Sequence, residues 1–240
     1  MADRYFVEKP IEGQQAQLLG AEAHHLAHVM RAKPGTEITL FDGSGDEFLA
    51  RVERVGRSDV GLTVLSRSAI DREAPLAVTL GVALPKGDRR RWLVEKAVEL
   101  GVARLVPLET ARGNDRDGAL ARLRQTVIEA SKQCGRNRLL EISAPLSLAE
   151  FVEGAPADGW RLFAHSSPHA ARRPLGDLLP APQPPCVSIA IGPEGGFTPQ
   201  EFELAVARGW QSVGLGPRVL RIETAALAIV AAVVAHLERD

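Results

Sequence analysis

An α/β domain built on a mostly parallel sheet, preceded by a small β-barrel, is the architecture this sequence predicts, and three observations predict it. Up to about Ser68, short segments with apolar residues at every second position are separated by Gly/Asp turns. Beyond Pro75, compact apolar runs alternate with longer stretches of helical spacing, the pattern of βα units around a parallel sheet. Basic residues gather in the second part: Lys86 to Arg138 carries 13 basic and 7 acidic side chains, whereas residues 1–71 carry 8 and 11. A chain of 240 residues allows one large domain or a small and a medium one. With 45% hydrophobic and 25% charged residues it can bury a core, so disorder is excluded.

In the first domain, residues 1–71, strands are expected at Glu37–Phe41, Glu47–Val52 and Val60–Leu65, with one helix from Ala21 to Met30. The polar stretch Arg67–Pro75 reads as the linker. In the second domain, residues 75–240, the apolar runs Val78–Leu84, Arg104–Leu108, Leu162–His165 and Val187–Ile191 are expected strands. Helices are expected at Arg89–Leu100, Leu120–Cys134, Pro199–Arg208 and Thr224–Glu238. In the second of these, Leu120, Leu123, Val127, Ala130 and Cys134 form one stripe at three- and four-residue spacing. The last is apolar on every side from Ala225 to Ala235, so part of it should be covered by a second subunit.

Several classes fall away. The start lacks the apolar core of a signal peptide, and the longest apolar run has eleven residues where a membrane span needs about 18 or more. A cytoplasmic protein with no membrane partner is expected. Cys134 and Cys186 have no Cys or His neighbours at zinc-site spacing, so both read as reduced thiols and no metal is expected. The net charge of −1 gives no global case for nucleic acid; a phosphate-tracking surface must come from the local excess after Lys86. Trp92, Trp160 and Trp210 are not interleaved with basic runs and read as core.

Two loops carry the functional signal. In Ile189–Glu201 a strand runs into Gly192-Pro193-Glu194-Gly195-Gly196 and a helix follows at once. Thr198 is placed as its N-cap, Pro199 at its first position and Glu201 as the reciprocal cap, with Phe197 and Phe202 as a hydrophobic staple. Glycines there permit positive φ and close approach of main chain to a ligand. The segment Leu215-Gly216-Pro217-Arg218-Val219-Leu220-Arg221-Ile222-Glu223-Thr224-Ala225-Ala226 repeats the design, with Glu223 or Thr224 able to cap the helix. Two pinned loops at strand ends could enclose one small molecule, the usual location of ligands in such sheets. Neither GxGxxG nor a P-loop is present, which counts against nicotinamide and nucleotide triphosphate chemistry.

IGPEGGFTPQE followed by LGPRVLRIETAA resembles the paired C-terminal motifs of the SPOUT methyltransferases, and within them the ribosomal RNA small subunit methyltransferase E family. Arg4-Tyr5-Phe6, His25 through Val29-Met30-Arg31, Lys96 through Glu99-Leu100-Gly101-Val102, and Gln133-Cys134-Gly135-Arg136 agree with it, so the match runs nearly end to end. One departure is Gly113, which follows Arg112 where the family usually carries Ser. The resemblance implies a PUA-like barrel for RNA placement, a catalytic domain closed by a C-terminal trefoil knot, S-adenosylmethionine as cofactor, a homodimer, and methylation of uridine N3 in the 16S RNA of the small ribosomal subunit.

On this reading the cofactor is held by Gly192, Pro193, Glu194, Gly195, Gly196, Leu215, Gly216, Leu220, Thr224 and Ala225, with His165 in the same pocket. Substituting Gly195 by Val should then block cofactor binding. Methyl transfer is an in-line displacement that needs alignment rather than a metal. The uridine N3 proton must also leave, from a flipped or single-stranded base. Arg221 and Arg218 are candidates to stabilise the uridine anion, and Glu223 and Glu194 to take the proton. Arg4, Arg31, Lys86, Arg112 and Arg136 are candidates for RNA contacts. Two alternatives remain open at this point: a SPOUT-type ribose 2′-O or guanosine methyltransferase, and a non-catalytic RNA-binding assembly factor.

Overall fold

The computed structural model describes residues 4–112, 120–164, 173–174 and 183–238. The chain divides into two compact units, Met1–Arg72 with Ile128–Leu139, and Glu73–Val127 with Leu140–Asp240.

The first unit is a five-stranded sheet of β1 (Arg4–Phe6), β2 (Gln15–Leu19), β3 (Glu37–Phe41), β4 (Asp46–Val55) and β5 (Asp59–Ala69), in the order β1-β3-β4-β5-β2. The last strand reaches Ala69, into the stretch expected to be linker, because its exposed end still pairs with Asp46–Phe48. β1 runs parallel to β3, and the other pairings are antiparallel. Register shifts at Leu49/Ala50 and Val52/Arg54 let β4 bend. The sheet thereby wraps a core of Leu18, Ile38, Leu40, Ala50, Val52, Val60 and Leu62.

The helix expected at Ala21–Met30 is only half α-helical. It comprises α1 (Gly20–His24) and then a π-helical turn (His25–Val29), closed by the Met30 amide donating to the His25 carbonyl at 3.0 Å. Arg31 follows with φ +55°, an uncommon conformation for a side chain of its size. Near the start of β1, Arg4 pairs with Glu47 and donates to Asn137 Oδ1 at 2.7 Å, while Arg72 donates to Glu47 at 3.1 Å and to the Gly135 carbonyl at 2.9 Å.

Burial raises the proton affinity of Glu47, but the hydrogen bonds and charges of Arg4 and Arg72 outweigh it and hold the carboxyl below its usual range. A carboxylate depressed in the folded state stabilises above its unfolded pKa, and that contribution is lost as pH falls through the folded value. Glu47→Gln should therefore lower the urea midpoint more at pH 7 than at pH 3. An equal loss at both pH values would remove the ion pair as the cause.

The second unit carries a parallel sheet of β6 (Ala77–Val82), β7 (Arg104–Glu109), β8 (Glu141–Ile142), β10 (Trp160–Ala164), β11 (Arg173–Pro174), β12 (Cys186–Ile191) and β13 (Gln211–Gly214), ordered β11-β13-β10-β12-β6-β7-β8. A short strand, β9 (Leu146–Ser147), pairs with β7 off this path. The central strands are apolar on both faces, as helices on either side demand. The unit's helices are α2 (Asp88–Glu99), α4 (Leu148–Gly154), α5 (Pro199–Ala207) and α6 (Ile222–Leu237), together with the part of α3 (Leu120–Cys134) up to Val127; Ile128–Cys134 belongs to the first unit. One face of the sheet packs under Phe151, Phe163, Phe197 and Trp210.

Trp160 and Trp210 are core, as expected, but Trp92 is 45% exposed on α2. In α6 the residues Ile222, Ala226, Ile229, Val230, Val233 and Leu237 are buried, whereas Ala228, Ala232 and Ala235 lie exposed along one stripe.

Candidate functional site

Three parallel strands deliver the chain to one place. Ala164 ends β10, Ile191 ends β12 and Val213 lies near the end of β13; Ala164 is in register with both of the others. Beyond them the two glycine-proline loops bound a cavity of about 360 Å³, within the range of small-molecule sites. Its lining is Gly192, Pro193, Glu194 and Gly196 from the first loop, Leu215 to Leu220 from the second, and Ile222 and Ala225 from α6.

The first loop is pinned as its sequence indicates. The Gly196 amide donates to the Pro193 carbonyl at 2.8 Å, closing a four-residue turn. The Thr198 amide donates to Glu201 Oε2 at 2.7 Å, and the Glu201 amide to Thr198 Oγ1 at 3.2 Å, completing the capping box of α5. Phe197 and Phe202, the expected staple pair, both pack on Phe163. A further tie was not legible in the sequence: Glu201 Oε1 accepts the Ala111 amide at 2.9 Å, joining the loop after β7 to this one.

The four glycines of the loops do different work. Gly196 and Gly216 have φ of +67° and +88°, where a side chain would strain the backbone. Gly192 is small for the core: a Cβ there would come within 3.3 Å of the Phe197 ring. Gly195 does not line the cavity. Its carbonyl accepts Arg112 Nη1 at 2.6 Å, and a Cβ would meet Arg112 at 3.3 Å, so valine at this position would press on that arginine rather than on a ligand.

The remaining candidates divide. Arg218 lines the cavity, but Thr224 does not. Arg221 is exposed, lines neither this cavity nor the one beside it, and is itself the N-cap residue of α6. The expected cap by Glu223 or Thr224 is therefore corrected: the helix begins earlier, at Ile222, and has no side-chain cap. Glu223 is instead buried, and its Oε2 has no hydrogen-bond partner among the described residues. Arg4 and Arg136 are nearly buried in the first unit, Arg31 is exposed there, and Lys86 and Arg112 are exposed in the second. His165 and Gly113 lie outside the described residues. Cys186 is half-buried, and burial together with Asp158 pushes its thiol up, away from a nucleophilic thiolate.

A second cavity, of about 220 Å³, adjoins the first and shares Pro193, Glu194 and Ile222 with it. Lys86, Arg89 and Arg112 line it together with Leu84, Pro85 and Leu108. Arg89 does not stand out in the sequence, yet its Nη1 lies 3.7 Å from Glu194 Oε1 and 3.8 Å from Glu223 Oε2. The two candidate carboxylates thus converge on one guanidinium.

The first cavity fits a partly apolar ligand that the main chain can reach: its walls are glycine and proline backbone with Ile191, Val213, Leu215, Leu220 and Ala225, and Glu194 and Arg218 are the charged side chains on it. The second is lined by cations and suits an anionic or polar acceptor.

Residues 72–234 match the family described as RNA methyltransferase domain, and residues 18–65 the family described as RNA methyltransferase PUA domain. A Synechocystis protein named Ribosomal RNA small subunit methyltransferase E is 34% identical over 92% of this chain and 73% of its own length. The protein of the same name from Bacillus subtilis is 30% identical over 96% and 95%. The crystal structure of the Neisseria gonorrhoeae protein of that name, bound to S-adenosyl methionine, superposes with a TM-score of 0.88 at 33% identity, covering 98% of both chains.

Proposed function

Because the chain belongs to the ribosomal RNA small subunit methyltransferase E family of RNA methyltransferases, we propose that it uses S-adenosylmethionine to methylate N3 of a uridine in 16S ribosomal RNA. The observation that carries this reading is the juxtaposition of the main-chain cavity at the ends of β10, β12 and β13 with the cation-lined cavity beside it.

When bound, the cofactor supplies a methyl group on a positively charged sulfur. The protein's residues align and neutralise. Leu215, Leu220 and Ala225 would offer apolar surface to the adenine ring, and the main chain of Gly192, Gly196 and Gly216 would hold its polar edges. Arg218, an exposed side chain on the wall of the cofactor's cavity, is the candidate to bring positive charge to the uridine as it loses its proton. Of the two candidate carboxylates, Glu194 lines both cavities and is within reach of that proton, whereas Glu223 lines neither and its Oε2 is buried. Lys86 and Arg112 are placed for backbone phosphates of the flipped strand, and Arg31 for RNA on the first unit.

The reading extends to a cytoplasmic protein, to domains spanning 1–71 and 75–240, to a C-terminal knot, and to a homodimer. Support for the dimer is the stripe of exposed Ala228, Ala232 and Ala235 on a helix whose other face is buried in the core.

Incubating the purified protein with labelled cofactor and unmodified small subunits, then analysing nucleosides by mass spectrometry, tests the function. 3-Methyluridine is expected. Label in a ribose 2′-O-methyl or guanosine product would overturn the base assignment, and no label would leave only RNA binding. Light scattering should give the mass of a dimer, and Ala232→Arg that of a monomer.

A further inference from the structure

Hydrogen-bond donors dominate the second cavity. Among the described residues its charged side chains are Lys86, Arg89 and Arg112, which can only donate, and Glu194, whose carboxylate accepts. The three cations are not equivalent. Arg112 is committed to the Gly195 carbonyl at 2.6 Å, and Lys86 is a point charge on a flexible stem. Arg89, in the first turn of α2, presents a planar fork whose Nη1 approaches its two carboxylate neighbours, Glu194 Oε1 and Glu223 Oε2, only to 3.7 and 3.8 Å, beyond hydrogen-bond length. Glu223 is buried and lines neither cavity, so it flanks the guanidinium from the protein interior, whereas Glu194 flanks it where the two cavities meet. The main chain beneath Arg89 is fixed: the Arg90 amide donates to the Gly87 carbonyl at 3.1 Å, and the buried Arg90 side chain donates through Nε to the Pro85 carbonyl at 3.0 Å.

We propose that Arg89 and Glu194 together read the acceptor base, Arg89 donating to O4 of uracil and Glu194 accepting its N3–H, and that Arg89 is the residue that admits uracil and rejects cytosine. This rests on the function proposed above. The two side chains are too far apart to satisfy each other and close enough to serve neighbouring atoms on one base edge. Uracil offers them an acceptor at O4 beside a donor at N3. Cytosine offers the reverse, an amino donor at C4 beside an unprotonated N3, so the guanidinium would face N–H groups and the carboxylate a lone pair. A site that hydrogen-bonds one base rejects its analogue more strongly than shape alone does, because its own polar groups are left unpaired. The same pairing suits the reaction. The hydrogen bond to Glu194, which lines both cavities, lies along the N3–H bond that must break, and the negative charge this leaves on O4 faces Arg89.

Two readouts test the pair. The first needs no turnover: dissociation constants of uridine, cytidine and guanosine 5′-monophosphates are measured by NMR titration of the full chain. The wild type should prefer the uridine nucleotide over the cytidine nucleotide by about tenfold, the lower range of what one good bidentate base contact discriminates. Arg89→Met, which keeps the length of the side chain and removes its donors, should bring that ratio to within about twofold. Arg89→Lys should keep part of the preference, and Glu194→Ala should narrow it. A wild type with no preference, or a preference that survives Arg89→Met, would overturn the proposal. So would tighter binding of the guanosine nucleotide, whose N1–H and O6 present the same order of groups on a larger base.

The second readout is turnover on unmodified small subunits. Arg89→Met should lower kcat/KM about 100-fold, the lower range for removing one donor from a developing negative charge, and Arg89→Lys should recover about tenfold of that loss. Affinity for S-adenosylmethionine should stay within about threefold in both, since Arg89 does not line the first cavity. A comparable loss of cofactor affinity would show that Arg89 supports the loops rather than the base, and would overturn the proposal. If the wild type makes no 3-methyluridine while its uridine preference depends on Arg89, the proposed function fails and the recognition stands. If it makes 3-methyluridine and the preference ignores Arg89, the function stands and this role for Arg89 does not.

Discussion

Gly196→Val should eliminate S-adenosylmethionine binding in calorimetry, with the fold intact by circular dichroism. Gly196 lines the cavity and sits at φ +67°, where a residue with a Cβ costs roughly 1–2 kcal/mol and a β-branched one more. The cheapest relief is to abandon the turn closed by its amide on the Pro193 carbonyl, and that turn shapes the wall shared by the two cavities. At about 1.4 kcal/mol per tenfold, strain alone weakens binding about tenfold, and steric loss of the wall takes the rest. Gly195→Ala is the control: its Cβ faces Arg112 rather than the cavity, so affinity should stay within about threefold. Equal losses at both positions would mean that the loop matters only as a flexible hinge, and unchanged affinity at Gly196 would move the cofactor elsewhere.

This contrast shows what the sequence could say about the site. GPEGG announces a loop needing glycines, but only the backbone reveals which glycine serves a ligand, which serves Phe197 and which clears Arg112. The capping box at Thr198 and Glu201 was legible because its spacing is fixed by helix geometry; the second bond of Glu201, to Ala111, was not, since the two residues are 90 positions apart. Arg89 was hidden in Asp88-Arg89-Arg90-Arg91, which reads as a solvated charged turn. A signal existed: three consecutive cations in the first turn of a helix run against its dipole.

The strands and helices with long apolar periodicity were equally legible, β12 and α3 almost to the residue. The missed elements are those with too few buried positions to set a period. β2 buries only Leu18 of its five residues, and α4 has seven residues, although Ser147 and Glu150 form a capping box that its sequence could have shown. The π-helical turn left no pattern, because α- and π-helical hydrogen bonding place the same residues inward over one turn; Leu26 is buried either way.

Gly81→Val should destabilise the second unit by about 1–3 kcal/mol, the range for overpacking a filled core, and on a marginal fold it should show as aggregation during expression. Gly81 lies mid-sheet in β6, in register with Ala190 of β12 on one side and Val106 of β7 on the other. Those small neighbours frame a seat for the Phe151 ring, and a Cβ on Gly81 would stand 2.5 Å from its Cζ. The ring cannot rotate away freely, because Trp210 packs against it with centroids 5.6 Å apart and its Nε1 donates to the Val152 carbonyl. Relief therefore requires α4 to lift, and with it the Phe163, Phe197 and Phe202 cluster that fixes the first loop. Thermal unfolding should fall by several degrees, and cofactor affinity should fall with it in the folded fraction. Gly81→Val combined with Phe151→Leu should recover much of the midpoint; failure of that pair to recover anything would place the strain in the strand backbone rather than beneath the ring.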